Sequence, residues 1–126
     1  MRIFTVDEAK CVRCGACAEV CPLGIIRFKE GRVPLPYPMA KKACISCGHC
    51  VSVCPEGALS HEAVPAGGCV PVKEELVISE EQMKQYFRSR RSIRTYQNKP
   101  VDKTVLEDLI GIAGYAPTGH NRQNVN

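Results

Sequence analysis

The chain has no tryptophan, and no part of it stays apolar for long. Its longest weakly apolar run, Leu109 to Ala116, is far too short to cross a bilayer, which takes about 20 residues. That leaves no membrane role to assign. The opening Met1-Arg-Ile-Phe-Thr-Val reaches Asp7 and Glu8 before an export signal could build its apolar stretch. A reducing cytoplasm is therefore expected, where cysteines serve as metal ligands before they serve as disulfides. Charge of one sign is scarce too: 17 Lys and Arg stand against 13 Asp and Glu, a formal net charge of +4. With 126 residues there is room for one ordinary domain or two small ones.

What the chain does have is cysteine, nine in all. Eight fall into two runs, Cys11, Cys14, Cys17, Cys21 and Cys44, Cys47, Cys50, Cys54, each followed at once by proline, Pro22 and Pro55. Both read C-x2-C-x2-C-x3-C-P, and each cysteine of the second run stands 33 residues after its counterpart. Three cysteines at two-residue gaps let a tight loop set three thiolates around one face of a cubane. The fourth is expected to start a helical turn and point away. Proline fixes φ and removes a donor there, which suits an abrupt change of direction. Gly15 and Gly48 permit positive φ and a close approach of backbone N–H groups to sulfur. Such hydrogen bonds, with local burial, set a reduction potential. Zinc and disulfides are the alternatives, but a zinc site closes with four ligands and needs neither the third gap nor the terminal Cys-Pro.

The doubled run resembles the bacterial dicluster ferredoxins over residues 1–63. The resemblance implies an α+β, ferredoxin-like, pseudo-symmetric domain carrying two [4Fe–4S] clusters. It also implies an exchange of the last ligand, because in these proteins the fourth cysteine of each run binds the other cluster. Cys11, Cys14, Cys17 and Cys54 then take one cluster, and Cys44, Cys47, Cys50 and Cys21 the other. Each ligating thiolate contributes −1 and each oxidised core about +2, so the loaded protein sits near neutral. The nominal basicity is no argument for nucleic acid.

Around these runs the expected elements are short. Arg2 to Val6 alternates as a strand, and Ala18 to Cys21 forms a helical turn. Leu23, Ile25 and Ile26 provide apolar cover, mirrored later by Ala58 and Leu59. Lys29 to Arg32 is a polar turn. Pro34-Leu-Pro36-Tyr-Pro38 is extended, as a connector or as a lid over one cluster. So small a unit buries little surface, and the clusters are expected to act as its core. His49, inside the second run, reads as a solvated loop residue, with a tuning role as the alternative. Cys69 is the odd cysteine, read as a spare thiol.

Residues 64–78 read as a linker, rich in Gly and Pro from Val64 to Pro71. From residue 79 the pattern changes. Ser79-Glu80-Glu81-Gln82 is a capping box opening a helix to about Ser89, with Met83, Tyr86 and Phe87 as a core-facing stripe. Arg88, Arg90, Arg91 and Arg94 follow, then a turn at Asn98-Lys99-Pro100. Asp102 is placed to cap a second helix lined by Leu106, Leu109, Ile110 and Ala113, which Gly114 weakens and Pro117 ends.

Arg90-Arg91-Ser92-Ile93-Arg94, then Pro100-Val101, a helix, and Ala116-Pro117-Thr118-Gly119-His120-Asn121-Arg122-Gln123 resemble the start of the nitroreductase-like flavoproteins. The resemblance implies an α+β domain, mainly helical over residues 79–126, usually a homodimer with FMN at the subunit interface. Arg90, Arg91, Ser92 and Arg94 would hold the FMN phosphate and ribityl chain, as guanidinium forks suit phosphate. Pro117, Thr118, Asn121 and Gln123 would lie along the isoalloxazine or its partner loop. An arginine-rich heptapeptide alone reads as a solvated face or a nucleic-acid patch; the downstream Pro-Thr motif is what separates the readings. The family continues Gln-Pro-Trp where this chain has Gln123-Asn-Val-Asn126. The expectation is a fragment or a truncated relative, without a complete flavin site. No catalytic acid or base is assigned.

Three functions follow as expectations. The first is an electron-transfer module feeding, or fed by, an FMN oxidoreductase domain. The second is a soluble ferredoxin with a non-catalytic tail, exchanging electrons with a partner protein. The third is a structural or sensing role for the clusters.

Overall fold

The structure, a computed structural model, describes residues 3–123. Strand β1 (Phe4–Val6) leads to α1 (Ala16–Glu19), β2 (Ile26–Arg27), β3 (Leu35–Pro36), α2 (Ala40–Ala43), α3 (His49–Ser52) and β4 (Leu59–His61). Two longer helices follow, α4 (Glu80–Ser89) and α5 (Lys103–Ala113). The architecture is thus a mixture of helices and small sheets. By contacts the chain divides into two units, one running to Cys69 and taking in the segment from Pro117 onward, the other Val70–Ala116.

Two glycines fix where the first unit's helices begin. Gly15 and Gly48 hold φ of 81° and 76°, the left-handed region, and α1 and α3 start on the next residue. A Cβ on Gly15 would stand 2.6 Å from a ring carbon of Phe28, and one on Gly48 3.2 Å from a methyl of Val64. The Gly15 carbonyl accepts from the N–H of Ala18 at 2.9 Å and of Glu19 at 3.2 Å. This moves the expected helical turn. It begins at Ala16, not Ala18, so the third cysteine lies on α1 and the fourth, Cys21, lies beyond its end.

The strands pair as two antiparallel ribbons. In one, Phe4 faces His61, Thr5 faces Ser60 and Val6 faces Leu59; in the other, Ile26 faces Pro36 and Arg27 faces Leu35. The expected strand is therefore present from Phe4; Arg2 lies outside the described residues. The Pro34–Pro38 stretch supplies a strand, and Pro34 itself is buried. The core is small: Ile3, Phe4, Ile26, Ala40, Val51, Ala58 and Leu59, of which Leu59 is the one large side chain under 2 % exposed. Ile25 is half-buried and Leu23 exposed, so apolar cover comes from one face of each ribbon.

The second unit is two helices and their connections. Ser79 and Gln82 form the full reciprocal capping box of α4. Lys84 pairs with Glu80 along that helix, and Lys103 with Glu107 on α5 at 3.3 Å. Asp102 occupies the cap position of α5, but its side chain makes no capping bond; its carbonyl accepts from Val105 and Leu106 instead. The stripe expected to pack as core does not: Met83, Tyr86 and Phe87 are 45, 61 and 62 % exposed. No described residue of that unit is buried, so helical spacing is satisfied without a partner for the apolar face.

Substituting Gly15 by alanine should cost about 1–2 kcal/mol for the left-handed backbone alone, plus the overlap with Phe28. Gly24→Ala carries only the backbone cost, since φ is +59° and the space is open. Thermal denaturation should rank G15A clearly below G24A; equal midpoints would contradict the packing of Phe28 on Gly15.

Candidate metal centre

The eight motif cysteines fall around two cavities. Cys11, Cys14, Cys17 and Cys54 line one, and Cys21, Cys44, Cys47 and Cys50 the other. Each cavity thus takes three sulfurs from one run and the last sulfur of the other. The two are similar in size. Backbone conformation repeats with the sequence: Arg13 and Ser46 hold φ of 56° and 51°, Gly24 and Gly57 of 59° and 56°. These left-handed positions wrap the chain around the sulfurs.

The walls are apolar. Val6, Pro34, Ala58 and Leu59 close the first cavity; Ile3, Phe4, Ile25 and Ile26 close the second. Pro34 brings the proline-rich connector against the first cavity as a wall residue. His49 starts α3 at the edge of the second cavity, with an exposed side chain.

Burial acts on the thiols. It pushes Cys17 above its ordinary 9.0, and it pushes Cys50 up to about 11, where Cys21, Cys44 and Cys47 add their repulsion. Thiolates gathered at one largely apolar cavity repel one another, and a cation among them offsets that repulsion. The donor set therefore fits a positively charged iron–sulfur core.

Hydrogen bonds to sulfur come from named donors. The N–H of Ala58 donates to Cys54 Sγ at 3.2 Å, and the N–H of Ser46 to Cys44 Sγ at 3.4 Å. His61, 5 % exposed, lies with Nε2 3.5 Å from Cys44 Sγ. Its Nδ1 accepts the N–H of Ala63 at 2.9 Å, so the ring proton sits on Nε2 and donates to the sulfur. Motif reading selects His49 and misses His61. The signal for it was alternation in Leu59-Ser60-His61, which puts residues 59 and 61 on the same buried face.

The residues expected at a flavin fall in both units. Arg90, Arg91, Ser92 and Arg94 lie on an exposed stretch after α4. Arg91 donates to the carbonyls of Arg88 and Arg90 at 2.7 and 2.8 Å, and Arg90 lies 6.0 Å over the Tyr86 ring. Pro117, Thr118, Asn121 and Gln123 belong with the first unit. There Thr118 Oγ1 accepts the N–H of Gln123 at 2.9 Å. The Asn121 amide donates to the carbonyls of Ile45 and Ser46 at 3.2 and 3.0 Å, on the second cysteine loop. Cys69 is exposed, its thiol 3.9 Å from the Pro65 carbonyl. Among the described residues no helix is long and apolar enough to cross a membrane.

The cysteine thiols carry their protons at pH 7, Cys17 and Cys50 the more firmly for their burial, so loading iron and sulfide at pH 7 must release protons. Falling pH then weakens loading, since protons compete for the thiolates. Anaerobic reconstitution in a pH-stat should register that release; loading without it would contradict the cysteines as ligands.

Two known families match separate stretches of the chain. Residues 10–59 match the model of the 4Fe-4S dicluster domain, and residues 87–126 match that of the nitroreductase family. No curated protein matches the chain. The chain therefore joins a 4Fe-4S dicluster ferredoxin-type domain to a segment of the nitroreductase family.

Proposed function

We propose that this chain is an electron-transfer module serving a nitroreductase-type oxidoreductase, and that it holds two [4Fe–4S] clusters. Cys11, Cys14, Cys17 and Cys54 would bind one, and Cys21, Cys44, Cys47 and Cys50 the other. The observation that carries this reading is the exchange of the last cysteine between the two cavities. The repetition of backbone angles at an offset of 33 residues supports a pseudo-two-fold relation between the halves. When bound, such a cluster supplies one-electron exchange. The chain's own part is to exclude water with Val6, Pro34, Ile3 and Phe4, and to direct N–H groups at sulfur. A reducing cytoplasm suits it.

FMN is the cofactor that the nitroreductase resemblance implies. The arginines on the exposed stretch suit its phosphate. The unburied apolar faces of α4 and α5 favour packing within a larger nitroreductase-type domain and its homodimer. The commitment of the Asn121 amide to the second cysteine loop favours a second reading, a ferredoxin-type carrier whose tail is non-catalytic. Neither reading involves nucleic acid or a membrane.

Anaerobically purified protein should carry about eight irons and eight inorganic sulfides. Zinc in their place, or cystine, would end the proposal. Cys54→Ser should damage the cluster of the first cysteine run and spare that of the second, and Cys21→Ser the reverse, as read by iron content and electron paramagnetic resonance. Damage confined to the run that contains the changed residue would overturn the exchange. A flavin absorbance band beside the iron–sulfur shoulder favours the first reading; iron and sulfide without flavin after saturation with FMN favours the second. Chelating the iron under reducing conditions should abolish slow amide exchange, since the apolar core is so small.

A further inference from the structure

The two cavities differ in one buried side chain. His61 directs its Nε2–H at Cys44 Sγ in the second cavity. The residue 33 positions earlier in the sequence is Phe28, which has no donor to offer and does not line the first cavity. Its ring is spent on packing against Gly15. Backbone donors do not offset this: the first cavity's Cys54 receives Ala58, and the second's Cys44 receives Ser46 in addition to His61.

Resting on the two-cluster reading above, we propose that His61 is a positioning residue that makes the clusters inequivalent, by raising the reduction potential of the one held by Cys21, Cys44, Cys47 and Cys50. The step concerned is the gain of one electron from an external one-electron donor, with no bond made or broken. Reduction adds negative charge that spreads onto the ligand sulfurs. A fixed N–H dipole aimed at one of those sulfurs favours the reduced state. Burial keeps water from screening it or competing for the sulfur. The ring is held from both sides: Nδ1 accepts the Ala63 N–H, and the strand that carries it pairs with β1 through Phe4. The next residue, Glu62, bonds to Ile3 through its N–H at 2.9 Å and to Lys41 through its carboxylate at 3.4 Å. The Asn121 tether lies on the loop of the same cavity, at Ile45 and Ser46. The electron thus comes to rest in the cluster whose loop carries the Asn121 tether.

The test is a redox titration of the full chain, followed by electron paramagnetic resonance, on wild type, His61→Phe and His61→Gln. Iron and sulfide content of the wild type comes first; a protein without two clusters fails the underlying reading, separately from this inference. With two clusters present, the wild type should give two separated potentials. His61→Phe, which removes the donor, should lower the higher one by roughly a tenfold change in its reduction constant, about 59 mV for one electron, and leave the lower one in place. His61→Gln, which restores a donor, should recover part of the shift. Unchanged potentials in His61→Phe, or an equal fall in both, overturns the proposal. If the variants lose iron, pulsed resonance on wild type carrying 15N-labelled histidine decides. A coupling between the reduced cluster and a histidine ring nitrogen supports the proposal, and its absence overturns it.

Discussion

The first unit rests on one electrostatic requirement. Eight sulfurs are gathered at two small, largely apolar cavities, and burial works against the ionisation of Cys17 and Cys50. Seven buried apolar residues, several of them alanine or valine, are too few to hold such an arrangement closed by themselves. A positively charged iron–sulfur core reverses the sign of the problem. It neutralises the thiolates and at the same time supplies covalent links between segments distant in sequence. The exchange of the last cysteine then ties the two halves together, since each cavity draws on both runs.

Around that requirement the rest of the unit is economical. The left-handed glycines turn the chain, the one-turn helices carry the third cysteines, and two short ribbons close the apolar side. The second unit is built on other terms. Its helices are specified locally, by a reciprocal cap and by ion pairs one turn apart, and nothing in the described residues covers their apolar faces. Local signals suffice to form helices of 10 and 11 residues on paper, but tertiary cover is what usually sustains helices of that length.

Much of this was legible in the residues themselves. The cysteine spacing, the change of pattern after Pro71, the capping box and the ends of α4 are all local chemistry, and local chemistry is what a sequence states directly. Three features were not legible. The start of α1 depended on a glycine turn whose carbonyl takes two N–H groups, which spacing alone does not reveal. The apolar stripe of α4 satisfied its periodicity, yet periodicity says nothing about whether a partner exists. Asn121 binds backbone about 75 residues earlier, a contact that only the fold brings together. His61 lies between these cases: alternation in Leu59-Ser60-His61 marks its face as buried, but motif reading weighed only the histidine inside the cysteine run, and that one first as a solvated loop residue.

The contact between Gly15 and Phe28 reaches beyond stability. A methyl group at residue 15 collides with the ring at 28, so part of the penalty at one position is set by the volume at the other. Shrinking the ring first would leave only the backbone strain to overcome. The two sites should therefore drift as a pair among descendants of this chain, with a small side chain at 28 preceding any departure from glycine at 15.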